Sequence, residues 1–135
     1  MIVNVTLTSN NIVDSAALTQ TAGSPDAVIQ HVSRELVALL DLRDCRYEYG
    51  MLLGHPARLE PDGRVLTRHG FYPVDEAGLP KDELELRTFS NGLYRDRFMM
   101  FPHPGAHPSQ RARLVAVAVA DMAGHSVGAA TSAAP

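Results

Sequence analysis

From Val28 to Leu40 the apolar residues Val28, Ile29, Val32, Leu36, Leu39 and Leu40 recur at helical spacing, with Gln30, His31, Arg34 and Glu35 largely on the other side. Ser24 can cap this run, Pro25 suits the first helical position, and Asp26 sits where the helix dipole favours an anion. The pattern predicts an amphipathic helix that opens at Ser24 and ends between Leu40 and Asp44. The period then falls to two. Across residues 44–50, Cys45, Tyr47 and Tyr49 alternate with Arg46 and Glu48, as in a strand. Short strands are expected over 58–60 and 64–67, around Pro61-Asp62-Gly63, where Pro presets the first turn position and Gly accepts positive φ. Gly70, Pro73, Gly78 and Pro80 make residues 68–81 irregular, with Phe71 and Tyr72 tucked onto the sheet.

The organising stretch is 84–102, LELRTFSNGLYRDRFMMFP, two strands joined at Ser90-Asn91-Gly92. Asn-Gly between apolar and polar alternation is a strong hairpin signal. A two-residue turn would place Arg87 opposite Asp96 and split the apolar set between the two faces. A three-residue loop with a bulge pairs Glu85 with Arg97 and Leu84 with Phe98, so that Leu84, Leu86, Phe98 and Met100 share one side. That register is favoured, because a slip of one residue turns every side chain over. The unbroken run Phe98-Met99-Met100-Phe101 predicts a strand covered on both faces.

PHPGAHP, residues 102–108, cannot be helical. Ser109 caps a second long helix expected over 110–124, apolar almost all round through Leu114, Val115, Val117, Ala118, Val119 and Met122, and interrupted by Asp121. Such a helix is buried on more than one side, by its own core or by a second subunit. Residues 1–23 are expected to form an arm or linker, 24–124 the domain, and 125–135, rich in small residues, a flexible tail.

Composition narrows the classes. With 135 residues the chain holds one core. A formal net charge of -3 carries no basic nucleic-acid footprint. A single cysteine cannot form an internal disulfide. The most apolar run, 114–120, is about a third of the roughly 20 residues a membrane span needs. The start, MIVNVTLTSN, lacks a basic signal-peptide region. A cytoplasmic domain without membrane insertion is the expectation.

The order of elements, with ELVALLDLRDCRYE, the turn EPDGRV, GLPKDELELR, DRFMMFPHPG and RLVAVAVADMAG, resembles the GAF-type domain of actinobacterial putative sensor proteins, similar to the cytoplasmic sensor part of potassium-responsive histidine kinases. The likeness covers about residues 24–124. It implies an α+β fold in which an antiparallel sheet of five to six strands, ordered about 2-1-5-4-3, carries the N- and C-terminal helices on one face. It also implies a role in signal transduction, with a sensor kinase or another signalling protein as partner. The short 68–81 connection departs from GAF domains that roof a deep pocket with helices, and no kinase motifs occur.

No catalytic constellation is expected. His103 and His107 have a helical metal-ligand spacing, but Pro104, Gly105 and Pro108 deny them the helix, and neither a metal nor a cofactor is predicted. Cys45, alone, lacks the second thiol a redox cycle requires and is assigned to strand packing. Two uses remain. In the first, the chain is a non-catalytic regulatory module that forms a homodimer through Val28, Val32, Leu36, Val115, Val119 and Met122 of the two helices. In the second, Tyr47, Tyr49, Phe71, Tyr72 and Arg87 line a shallow small-ligand pocket between the sheet and the 68–81 connection.

Overall fold

The computed structural model describes residues 24–50, 53–90 and 93–133. The expected N-terminal arm, residues 1–23, and Asn91-Gly92 of the hairpin turn lie outside the described residues.

Helix α1, Pro25–Leu40, begins as its sequence dictates: the Ser24 hydroxyl faces the Ala27 amide at 3.5 Å and Pro25 occupies the first turn. It ends at Asp41, whose left-handed backbone (φ 58°) turns the chain into the sheet while its amide caps the Val37 carbonyl. Strand β1, Leu42–Glu48, follows, then the short strands β2, Ala57–Leu59, and β3, Val65–Thr67. The β2–β3 turn is closed by the Gly63 amide on the Glu60 carbonyl, with φ +86° at Gly63 and the Asp62 carboxylate accepting from the Arg64 amide. The stretch expected to be irregular instead supplies β4, Gly70–Tyr72, and one helical turn, α2, Val74–Ala77. The reason is local: β4 pairs with β3 through Val65–Tyr72, Leu66–Phe71 and Thr67–Gly70, and the Thr67 hydroxyl bonds the Gly70 carbonyl across the bend. Strands β5, Leu84–Ser90, and β6, Leu93–Pro102, form the central hairpin, and helix α3, Gln110–Ala133, closes the fold.

The six strands lie in the order β1-β6-β5-β2-β3-β4. This corrects the expected arrangement in two respects. The sheet is mixed, because β2 runs parallel to β5, and among the described residues β1 stands at an edge rather than between two strands. The first strand does lie beside the last, and the last beside its hairpin partner, as in the middle of the expected 2-1-5-4-3 order.

The hairpin register also differs from the favoured one. Ser90 pairs with Leu93, so two residues join the strands, and the pairing shifts between Thr88–Asp96 and Phe89–Tyr94, leaving Arg95 as an extra residue on β6. That bulge restores parity after a two-residue connection. Leu84 then faces Met100 and Leu86 faces Phe98, and the four apolar residues share a side as expected. Glu85 and Arg97 become diagonal neighbours.

On that side lie α1 and α3. Val28, Val32, Leu36 and Leu40 of α1 and Ala116, Val119, Ala120, Ala123 and Val127 of α3 are buried with Leu84, Leu86, Phe98 and Met100 in one core. The two helices cover one face only. On the other, Met99 is buried beside Glu85 and Arg97, and Phe101 lies under the guanidinium groups of Arg46 (4.8 Å) and Arg43 (5.8 Å). Charged side chains with long aliphatic stems do the covering there.

Helix α3 continues to Ala133 rather than ending near Gly124, spanning about 36 Å at 1.5 Å per residue. Gly124 marks a close approach, not a stop: a Cβ there would lie 2.9 Å from the Phe89 carbonyl oxygen and 3.0 Å from Thr88 Cβ. Glycine inside a helix ordinarily costs about 1 kcal/mol relative to alanine. Gly124→Ala is nevertheless expected to destabilise, by about 1–2 kcal/mol, because the clash is with sheet backbone that cannot swing aside. Urea unfolding of the two proteins gives the sign.

Candidate functional site

Glu85 lies on the sheet face away from the helices and is 1 % exposed. A carboxylate at such depth is costly unless it is paired, and three strands supply the partners. Arg97 of β6 donates from Nη1 to Oε1 at 2.9 Å, while Arg58 of β2 and Arg87 of β5 donate from Nε to Oε2 at 3.0 and 3.1 Å. Burial pushes the Glu85 carboxyl up, but the bonds from Arg97 and Arg58 and the charge of Arg87 outweigh it and hold the group below the ordinary range. Arg97 also donates to Glu48 at 2.8 Å and to the Leu53 carbonyl at 3.0 Å, pinning the connection after β1 across the sheet.

Two clefts flank Arg58 and Arg87. The first, of about 370 Å³, lies where β2 stops: β2 pairs only with Leu84 and Glu85, so beyond them β5 has no strand beside it on that side among the described residues. Leu59, Leu86 and Phe89 line its sheet wall, and Val117, Asp121 and His125 of α3 form the opposite wall. Desolvation pushes the Asp121 carboxyl up, with His125 one turn away opposing the shift. The second cleft, of about 310 Å³, opens on the helix-free face between the connection before β2 and strand β3.

The start of α3 is fixed to the sheet rim. Arg113, 2 % exposed, donates to the Gly63 carbonyl at 2.7 Å, the Pro108 carbonyl at 2.9 Å and Asp75 Oδ1 at 3.0 Å. The far half of α3 is held by apolar packing and the Gly124 contact. One end of the first cleft's helical wall is therefore clamped by charge-assisted bonds, and the next turns pack on the sheet through Ala120, Ala123 and Gly124.

The residues expected to line one ligand pocket are not brought together. Tyr47 is in β1 on the helix side, its hydroxyl donating to Asp96 Oδ2 at 2.8 Å and its ring edge-on to Tyr49 (4.9 Å) and Phe98 (4.8 Å). Burial, opposed by a bond to Thr88 and reinforced by Asp96, pushes its phenol up. Phe71 and Tyr72 are in β4 at the opposite edge, five strand spacings away, or about 24 Å at roughly 4.8 Å each. Phe71 lies under Arg64, 3.8 Å from guanidinium carbon to ring centre. Of the five, Arg87 lines both clefts, the second of which is also lined by Arg68 at the start of the 68–81 connection, and the four aromatic residues line neither.

Of the expected dimer residues, Val28, Val32, Leu36 and Val119 are at most 2 % exposed, covered by their own chain; Val115 and Met122 are partly exposed. A homodimer through the first four would have to open the core. Cys45 packs under α1, where burial, with a bond to Ser33 opposing it, pushes the thiol up to about 12. His107 bonds the Asp75 carbonyl at 2.9 Å through Nε2. Glu85, Arg58 and Arg97 were not singled out by sequence. Their signal, Glu85 and Arg87 two apart on β5 with Arg97 on β6 and Arg58 on β2, reads equally as a solvated strand face.

No described helix is long and apolar enough to cross a membrane. Comparisons with protein-family models, with curated proteins and with solved structures find no match.

Proposed function

We propose that the chain is a non-catalytic regulatory module of the GAF-like, signal-transducing kind that its sequence resembles, with a small ligand as input and α3 as output. The observation that carries this reading is that Val117, Asp121 and His125 of α3 form one wall of the 370 Å³ cleft whose other wall is the sheet. The volume lies within the usual range for small-molecule sites. A ligand that fills it presses on a helix clamped at its start and held by packing beyond. Such a helix has two arrangements within reach, and a ligand that favours one shifts the population. A signalling partner, in this account, reads the far half of α3.

A thermal-shift screen of a metabolite set tests the reading. Compounds that raise the melting temperature of the wild type should fail with Val117→Trp, whose indole occupies the cleft. Shifts that persist undiminished in that variant, or a screen without any shift, would count against ligand input at this place.

A further inference from the structure

Among the described residues β1 pairs only with β6 and has its other side open. With seven residues it is the longer of the two outer strands, β4 having three. The Cys45 amide donates to Asp44 Oδ1 at 2.9 Å, which marks Cys45 as a residue whose peptide groups face the open side. Such an edge is a template for a further strand. Its charges select which strand. Asp44 and Arg46 flank Cys45 on the helix-free face, opposite in sign, while Glu48, next on that face, already serves Arg97. Arg46 lies over the Phe101 ring and forms no ion pair with any described residue. On the helix side, Ser33 of α1 bonds the Cys45 thiol, and Val37, one turn on, is only partly buried.

We propose that this edge binds β1 of a second copy of the chain, antiparallel about a two-fold axis at Cys45, so that Asp44 of each copy stands opposite Arg46 of the other. The strand is complementary to itself in that register alone among its neighbours: centring the axis on Asp44 or on Arg46 sets like charges face to face, which is unfavourable across a strand pair. On docking, the Cys45 amide passes from Asp44 to the carbonyl of the other Cys45, and the freed carboxylate meets Arg46. The two sheets become one, and Val37 of each α1 gains cover at the seam. Because the contact is the same surface on both copies, it closes at two. It leaves the core shut, unlike a dimer through Val28, Val32, Leu36 and Val119, and it uses neither cleft.

Sedimentation equilibrium of the whole chain tests the contact, and a reversible dimer is expected. Asp44→Arg and Arg46→Asp should each weaken it by about ten-fold or more, since each turns two attractive cross-strand pairs into two repulsive ones. Both changes together restore the complementarity, and the dimer should return to within about three-fold of the wild type. Met122→Asp, on α3, should leave it unchanged. In the wild type, with no substitution at all, deuterium exchange at the Cys45 amide should slow as protein concentration rises. A chain that stays monomeric up to millimolar concentration, single variants that associate like the wild type, a double variant no better than the singles, a dimer broken by Met122→Asp, or Cys45 exchange independent of concentration would each overturn the proposal.

Discussion

Glu85→Ala should lower the stability of the protein by about 3–5 kcal/mol, the range for breaking a buried ion pair from one side. The loss exceeds that of a surface bridge because Arg97, 6 % exposed at its side chain, loses its one fully buried carboxylate partner and keeps only the partly exposed Glu48 and the Leu53 carbonyl. Arg58 and Arg87, each about a third exposed, can turn to solvent and contribute little to the loss. Replacing both partners, Glu85→Leu with Arg97→Met, should therefore recover most of the stability. Chemical denaturation of the wild type, the single variant and the double variant separates the two cases.

The same residue gives a pH dependence with a definite sign. Its carboxyl is held below the ordinary value in the folded protein, so the folded state favours the charged form. The resulting stabilisation is complete above the unfolded value of about 4.3 and is lost as pH falls through the lower folded value. The double variant should lack this part of the acid sensitivity.

Phe98→Ala is expected to cost about 3–5 kcal/mol, lowering the melting temperature by roughly 10–20 °C. Phe98 is fully buried, opposite Leu86 on one side and Tyr47 on the other, and its ring meets that of Tyr47 edge-on at 4.8 Å. Truncation leaves a void between the sheet and both helices that neither can fill by a small shift. Phe101, three residues on and on the opposite face, is a control. It is partly exposed beneath Arg43 and Arg46, and Phe101→Ala should cost no more than about 1–2 kcal/mol. Thermal unfolding of the two variants compares them.

Much of the architecture was legible because it follows from period and punctuation. The Ser24-Pro25 start, the alternating β1, the Pro61-Asp62-Gly63 turn and the shared side of Leu84, Leu86, Phe98 and Met100 each depend on neighbours in sequence. What was not legible depends on contacts between distant segments. Nothing in Ala57-Arg58-Leu59 says that it runs parallel to Leu84-Glu85; that follows from the route of the chain through β3, β4 and α2. The bulge at Arg95 was missed because one extra residue and a two-residue connection leave the same faces in place as a three-residue loop. Gly124 carried a stop signal by composition, yet it sits within α3 because only a residue without Cβ lets the helix touch Phe89. The charged hub escaped notice for a related reason, since alternating charge marks an open face whether or not the opposite residues interlock.

The claim on which the functional account depends is that filling the cleft beside β5 acts on α3. Because the Cys45 thiol is pushed up to about 12 by burial, it should react slowly, and Glu60→Cys can be labelled selectively with a bulky maleimide from the sheet-side wall, opposite the helix. Amide hydrogen exchange of labelled and unlabelled Glu60→Cys is then compared along the whole chain. The account predicts faster exchange from Val117 to Gly128 with the Arg113-clamped first turn unchanged; exchange along α3 that is the same with and without the label would contradict it.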